Sequence, residues 1–191
     1  MKIAVFVSGN GSNLQVIIDS IENGSLEQVK IQSVIADRAC YGIERAKKHQ
    51  IPSYQFYRKD KTMFQQIDDL LSSEVDFIVL AGFLSIIPTD FCQKWSNRII
   101  NLHPSLLPKY GGVGMYGDHV HRAVLDHKEK ESGATVHFVT GEVDKGAIIL
   151  QKSCSIDEYE TIDSLKKKIQ KIEHIILVEA IRVLVKNNKI K

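Results

Sequence analysis

Cysteine is scarce in this 191-residue chain, with only Cys40, Cys92 and Cys154, all far apart. An odd, unclustered set argues against a disulfide framework and offers no zinc knuckle. Each thiol reads as a buried small apolar side chain in a reducing compartment, which points to the cytoplasm. Net charge is nearly absent too. A balance of +2 is too small for a nucleic-acid partner or an anionic membrane, so any positive charge serving an anionic ligand must be local. Long apolar runs are missing as well. Met1 to Val7 is cut off by Ser8-Gly9-Asn10-Gly11 before it could serve as a signal peptide. Phe77 to Ile87 is interrupted by Gly82 and Ser85 and is too short to span a bilayer. There is no internal repeat, low-complexity tract or linker. What remains is 43% hydrophobic and 25% charged, the balance of a globular domain that buries about 70% of its unfolded surface.

The pattern alternates strand and helix. Strands are expected at Ile3 to Val7, Lys30 to Ala36, Ile51 to Phe56, Asp76 to Ala81 and Ile99 to Leu102. Helices are expected at Asn13 to Glu22, Gly42 to His49, Thr62 to Leu71 and Asp90 to Trp95. Short connections between such units imply a mostly parallel sheet with right-handed crossovers and helices on both faces. After Gly133 the texture changes. Ala134 to Val139 and Ala147 to Ser155 read as longer strands, antiparallel to each other, and Thr161 to Lys186 as a long amphipathic closing helix. The whole chain reads as one doubly wound α/β domain. In such sheets ligands gather beyond the carboxyl ends of the strands. Three polar clusters fall there: Ser8 to Asn13, Ala81 to Ile87, and Asn101 to Pro108.

Ser8-Gly9-Asn10-Gly11-Ser12-Asn13 joins the first strand to the first helix. Its glycines let successive N–H groups converge on one anion, the helix N-terminus adds partial positive charge, and Ser12 or Asn13 can cap or donate. The loop lacks the Gly-Lys-Ser/Thr of a P-loop and the third glycine of a dinucleotide fingerprint. It suits a mononucleotide-like or sugar phosphate. A tight capped turn without a ligand would use the same residues.

Asn101-Leu102-His103-Pro104 ends a strand, and alternation places Asn101 and His103 on one face. An amide donor beside an imidazole suits acyl or formyl transfer: the amide stabilises an oxyanion while the imidazole moves protons. A satisfied core histidine would give the same pattern. Asp144 sits in a glycine-flanked loop, where it reads either as an ordinary turn aspartate or as a partner that raises the pKa of His103. Sequence spacing alone does not bring the two together. No covalent nucleophile is evident, because Ser105 lacks a Gly-x-Ser-x-Gly elbow. His119, His121 and His127 lack a completing Cys or carboxylate, so no metal is expected. Lys166-Lys167-Lys168 reads as a solvated helix face.

Taken together, Ser8 to Asn13, Leu80-Ala-Gly-Phe83, Asn101 to Pro108, Gly133-Ala-Thr-Val-His137 and Asp144-Lys-Gly146 resemble the phosphoribosylglycinamide formyltransferases, over Lys2 to about Lys186. The resemblance implies a formyltransferase fold spanning 1–191 as a single domain, with a phosphate-binding half at about 1–100 and a folate-binding and catalytic half at about 101–191. It implies 10-formyltetrahydrofolate as donor, glycinamide ribonucleotide as acceptor, and a place in de novo purine synthesis. Asn101, His103 and Asp144 would be catalytic. Gly11, Ser12, Asn13, Gln170 and Glu173 would hold the ribonucleotide. Lys61, Leu84, Ser85, Ile86, Ile87, Asn101, Thr140, Gly141, Glu142, Val143 and Asp144 would hold the folate.

The partners implied are these two small molecules, the protein being a monomer or homodimer. Lys61 and Ser85 stand where many members carry arginine, which bears on donor binding because lysine lacks the guanidinium fork. The 109–119 loop is longer than usual and reads as a lid. The rival readings are another formyl-folate enzyme, such as a deformylase, and a nucleotide-binding module without chemistry. A methionyl-tRNA formyltransferase would need a further C-terminal domain, for which the chain leaves no room.

Overall fold

The structure is a computed structural model and describes residues 1–71 and 74–188. Thirteen elements follow in the order β1 (Lys2–Val7), α1 (Ser12–Glu22), β2 (Lys30–Ala36), α2 (Tyr41–Lys48), β3 (Ser53–Gln55), α3 (Met63–Leu71), β4 (Phe77–Leu80), α4 (Thr89–Lys94), β5 (Ile99–His103), α5 (Asp118–Asp126), β6 (Glu131–Phe138), β7 (Ile148–Ser155) and α6 (Ile162–Asn188). One seven-stranded sheet runs β3-β2-β1-β4-β5-β6-β7. Strands β1 to β5 pair in parallel, and β6 and β7 antiparallel. The expected doubly wound α/β sheet is present.

Alternation along β1 explains the two-sided core. Ile3, Val5 and Val7 pack with α1, α2 and α6, whereas Ala4 and Phe6 face α3 and α4. The second face is closed by Met63, Ile67, Leu71, Phe91 and Trp95. There the indole Nε1 of Trp95 donates to the buried Asp68 at 2.9 Å, which satisfies both polar groups. On the first face α6 buries Leu165, Ile169, Ile172 and Ile176.

Three expectations need correction. Residues 118–126 form a helix, so the expected 109–119 loop ends at Gly117, and His119 and His121 lie on α5. Gly117 and the preceding glycines hide that start, although Val120 and Val124, one turn apart, are buried on it together with His121. Strand β3 covers only Ser53–Gln55, because Pro52 cannot donate to the ladder and the strand lies at the sheet edge. Of the cysteines only Cys92 is buried; Cys40 and Cys154 are half-buried, and all three are free thiols.

The strand order reverses direction between β1 and β4, which opens a crevice beyond their carboxyl ends. The Ser8–Asn13 loop leaves β1 on one side of that crevice, and the 81–87 segment leaves β4 on the other. Strand β5 delivers Asn101 and His103 to the same edge. Among the described residues no helix is long and apolar enough to cross a membrane.

Candidate active site

A cavity of about 580 Å³ occupies this crevice, a size suited to a small molecule. Its floor is polar. Asn101 stands opposite His137 in the β5–β6 register, and the Asn101 Nδ2 and His137 Nε2 atoms are 3.2 Å apart. His137 Nδ1 lies 2.8 Å from the Phe138 carbonyl, so Nδ1 carries the proton and Nε2 accepts from the Asn101 amide. One amide hydrogen is thereby spent, and the other is held toward Asp144 Oδ1 at a loose 3.4 Å.

Asp144 has a left-handed backbone (φ 57°), a conformation aspartate tolerates better than most residues. Its Oδ2 accepts from the Gly112 N–H at 2.9 Å and lies 3.5 Å from His103 Nδ1. Its Oδ1 lies 3.5 Å from His137 Nε2. Burial opposes ionisation of Asp144, but His137, His103 and the Gly112 N–H outweigh it and hold the carboxyl below its usual range. The contacts of 3.4–3.5 Å are longer than well-formed hydrogen bonds and leave a locus that a reacting group can tighten.

His103 is 4% exposed. Burial lowers its pKa, and the opposing pull of Asp144 and the Tyr110 carbonyl does not restore it. Asp144 does pull this pKa upward as expected, but desolvation outweighs it, and the free site holds His103 neutral at pH 7. Its Nε2 lies 2.8 Å from the Tyr110 carbonyl oxygen, to which it donates.

The other expected residues divide. Asn13, Leu84, Ser85, Ile86, Ile87, Thr140, Gly141, Val143, Gln170 and Glu173 line the cavity; Gly11, Ser12, Lys61 and Glu142 do not. Lys61 sits exposed before α3. Gly11 and Ser12 form the start of α1. Gly11 is left-handed (φ 75°), and a Cβ on it would stand 2.8 Å from Gly42 Cα. No side chain caps α1, so the anticipated cap by Ser12 or Asn13 is absent and its first-turn N–H groups remain available to an anion. Ser12 Oγ instead accepts from Gln170 Nε2 at 3.1 Å, tying α1 to α6. Local positive charge comes from Arg45, whose guanidinium donates to Asn10, and from Lys166, which lines the cavity and pairs with Asp118. The lysine run of α6 is thus only partly a solvated face.

Glu173 faces Asn13 in the same cavity, and burial pushes its pKa up to about 7 against the Asn13 hydrogen bond. Ser85 donates its hydroxyl to Asp37 Oδ2 at 2.6 Å. Asp37 is also gripped by both arms of Arg38. Burial would raise the pKa of Asp37, yet Arg38, Ser85 and Ser8 together keep it lowered. Ser8 in turn accepts from the Leu84 N–H at 2.8 Å, so the 82–85 turn is fastened to the end of β2. Among the described residues no group of three or more His, Cys, Asp and Glu side chains could hold a metal.

A model of the family described as "Formyl transferase" matches residues 1–181. The chain belongs to the formyltransferase family. The phosphoribosylglycinamide formyltransferase of Haemophilus influenzae is 41% identical over 179 residues, covering 91% of this chain and 82% of that protein. The chloroplastic phosphoribosylglycinamide formyltransferase of Arabidopsis thaliana is 37% identical over 186 residues, 94% of this chain and 64% of that one. The crystal structure of glycinamide ribonucleotide transformylase 1 from Symbiobacterium toebii superposes with a TM-score of 0.89 at 35% identity, over 98% of this chain and 88% of that one.

For this formyltransferase the sequence gives no role to Asp37 or His137, and His121 and Lys166 read there only as an incomplete metal set and a solvated helix face. His137 was the most accessible of them: it lies in the Gly133–His137 stretch, but its place beside Asn101 depends on an antiparallel register that the sequence does not display. His121, buried on α5 and lining the cavity, was hidden by the missed helix.

Proposed function

We propose that the chain transfers the formyl group of 10-formyltetrahydrofolate to the amine of glycinamide ribonucleotide, a step of purine synthesis, within a single domain. The observation that carries this reading is the convergence of Asn101, His103 and Asp144 within 3.5 Å contacts on the floor of one cavity. One wall of that cavity is the apolar Leu84–Ile87 segment and another the α1–α6 seam. The apolar segment, with Thr140, Gly141 and Val143, would take the flat pterin. The uncapped start of α1, with Gln170 and Glu173, would take the ribonucleotide.

The neutral amine attacks the formyl carbon. The carbonyl oxygen gains negative charge beside the Asn101 amide hydrogen that Asp144 holds only loosely and the Nδ1 edge of His103. Because burial keeps His103 neutral at rest, its Nδ1 is free to accept the proton that the amine sheds. The resulting imidazolium then faces both the oxyanion and the Asp144 carboxylate, which stabilise it. As the intermediate collapses, the carbon–N10 bond breaks and that proton passes to the departing folate nitrogen. No group on the protein is covalently modified, in keeping with a sequence that offers no evident covalent nucleophile.

The test is a spectrophotometric assay of deformylated folate with and without glycinamide ribonucleotide. Release that depends on the ribonucleotide supports the reading. Release without it would make the protein a deformylase, and no release would leave only a binding function.

A further inference from the structure

The segment after β5 leaves the site and returns to it at Tyr110. The Tyr110 carbonyl accepts from His103 Nε2 at 2.8 Å, and two residues on the Gly112 N–H donates to Asp144 Oδ2 at 2.9 Å. Two consecutive peptide groups, through the Tyr110 carbonyl and the Gly112 N–H, thus touch both catalytic side chains. A carbonyl can only accept, so the imidazole must keep its proton on Nε2 and present Nδ1 to Asp144 and the cavity.

Holding that carbonyl in place is costly. Tyr110 has a left-handed backbone (φ 56°), a strained conformation unusual for a bulky residue. Such strain persists only where the surroundings enforce it. Here the phenol donates to Glu129 Oε1 at 2.9 Å, and the ring stands edge-on to His127 with centroids 5.6 Å apart. Ser105 Oγ donates to the neighbouring Lys109 carbonyl at 2.7 Å. Glu129, in the α5–β6 connection, also receives Lys109 Nζ at 2.9 Å.

We propose that Tyr110 is a positioning residue: its phenol, anchored on Glu129, locks a strained backbone whose carbonyl fixes the tautomer and orientation of His103. The catalytic part of this proposal rests on the formyl-transfer reading above; the tautomer part does not.

Four variants separate the anchor from general stability. Tyr110→Phe removes only the hydroxyl, and Glu129→Ala removes the acceptor. Glu129→Gln keeps an oxygen for the phenol, and Lys109→Met removes the neighbouring ion pair alone. Tyr110→Phe and Glu129→Ala should each lower kcat about tenfold while leaving both KM values within about twofold, as expected when geometry rather than binding is lost. Glu129→Gln should recover most of that loss, and Lys109→Met should behave like the unaltered protein.

Imidazole ¹⁵N NMR gives a readout that needs no turnover. His103 should be the Nε2–H tautomer in the unaltered protein and a mixture in Tyr110→Phe. Its titration should shift in that variant although Asp144, His137 and His121, the titratable groups that face it, are unchanged. An Nδ1–H tautomer in the unaltered protein would overturn the proposal. So would an unchanged tautomer and kcat in Tyr110→Phe, or a fall in activity matched only by a fall in melting temperature.

Discussion

At Asp144 one carboxylate meets His103, His137, the Asn101 amide and the Gly112 N–H. Replacing it by asparagine keeps size and an acceptor but deletes the charge. Because that charge raises the pKa of His103 against burial, Asp144→Asn should push the His103 titration still lower, which an NMR titration reads directly. Turnover should fall by about a hundredfold or more as the imidazolium loses its stabilising partner. At this scale the Asn101–His103 pair was legible because a period of two on a strand is a local property. The meeting of Asp144 with His103 was not, since it depends on where a loop 41 residues on comes to rest. The sign of the His103 shift was not legible either, because burial is a property of the folded cavity.

Among the elements, α1 begins at the turn on which the proposed phosphate site depends. Gly11 is left-handed and so close to Gly42 that any Cβ must displace backbone. Gly11→Ala should therefore cost about 1–3 kcal/mol of stability and raise KM for the ribonucleotide more than for the folate, measured by thermal melts and steady-state kinetics. A KM change confined to the folate would contradict the placement of the phosphate at this loop. The buried strands β1, β2 and β5 and the long helix α6 were legible from their apolar runs and periodicity. Helix α5 was not, because glycines at 111, 112, 114 and 117 disguise its approach. With α5 went the cavity-lining His121.

Over the whole molecule, the alternating strands and helices foretold the doubly wound sheet, and the antiparallel edge followed from the change of texture after Gly133. The pairing of α1 with α6 through Ser12 and Gln170 joins residues 158 positions apart and has no local signal. That seam gives the fold a pH dependence. Glu173 ionises near pH 7 when folded but near its ordinary 4.5 when unfolded. Below pH 4.5 both states hold the proton, so nothing is lost. Between the two values only the unfolded chain ionises, so stability falls as pH rises, by at most about 3 kcal/mol. Glu173→Gln should raise the melting temperature at pH 8 and leave it nearly unchanged at pH 4.5. An equal shift at both pH values would contradict a buried, protonated Glu173.

On the proposed mechanism His103, set between Asn101 and Asp144, moves the proton of formyl transfer while the start of α1, with Gln170 and Glu173, holds the ribonucleotide. The most direct measurement is ribonucleotide-dependent release of deformylated folate by His103→Ala, alongside calorimetric binding of the ribonucleotide to the same variant. Turnover should drop by roughly a hundred- to ten-thousandfold with ribonucleotide affinity little altered. Turnover equal to that of the unaltered protein would remove His103 from the chemistry and with it the mechanism.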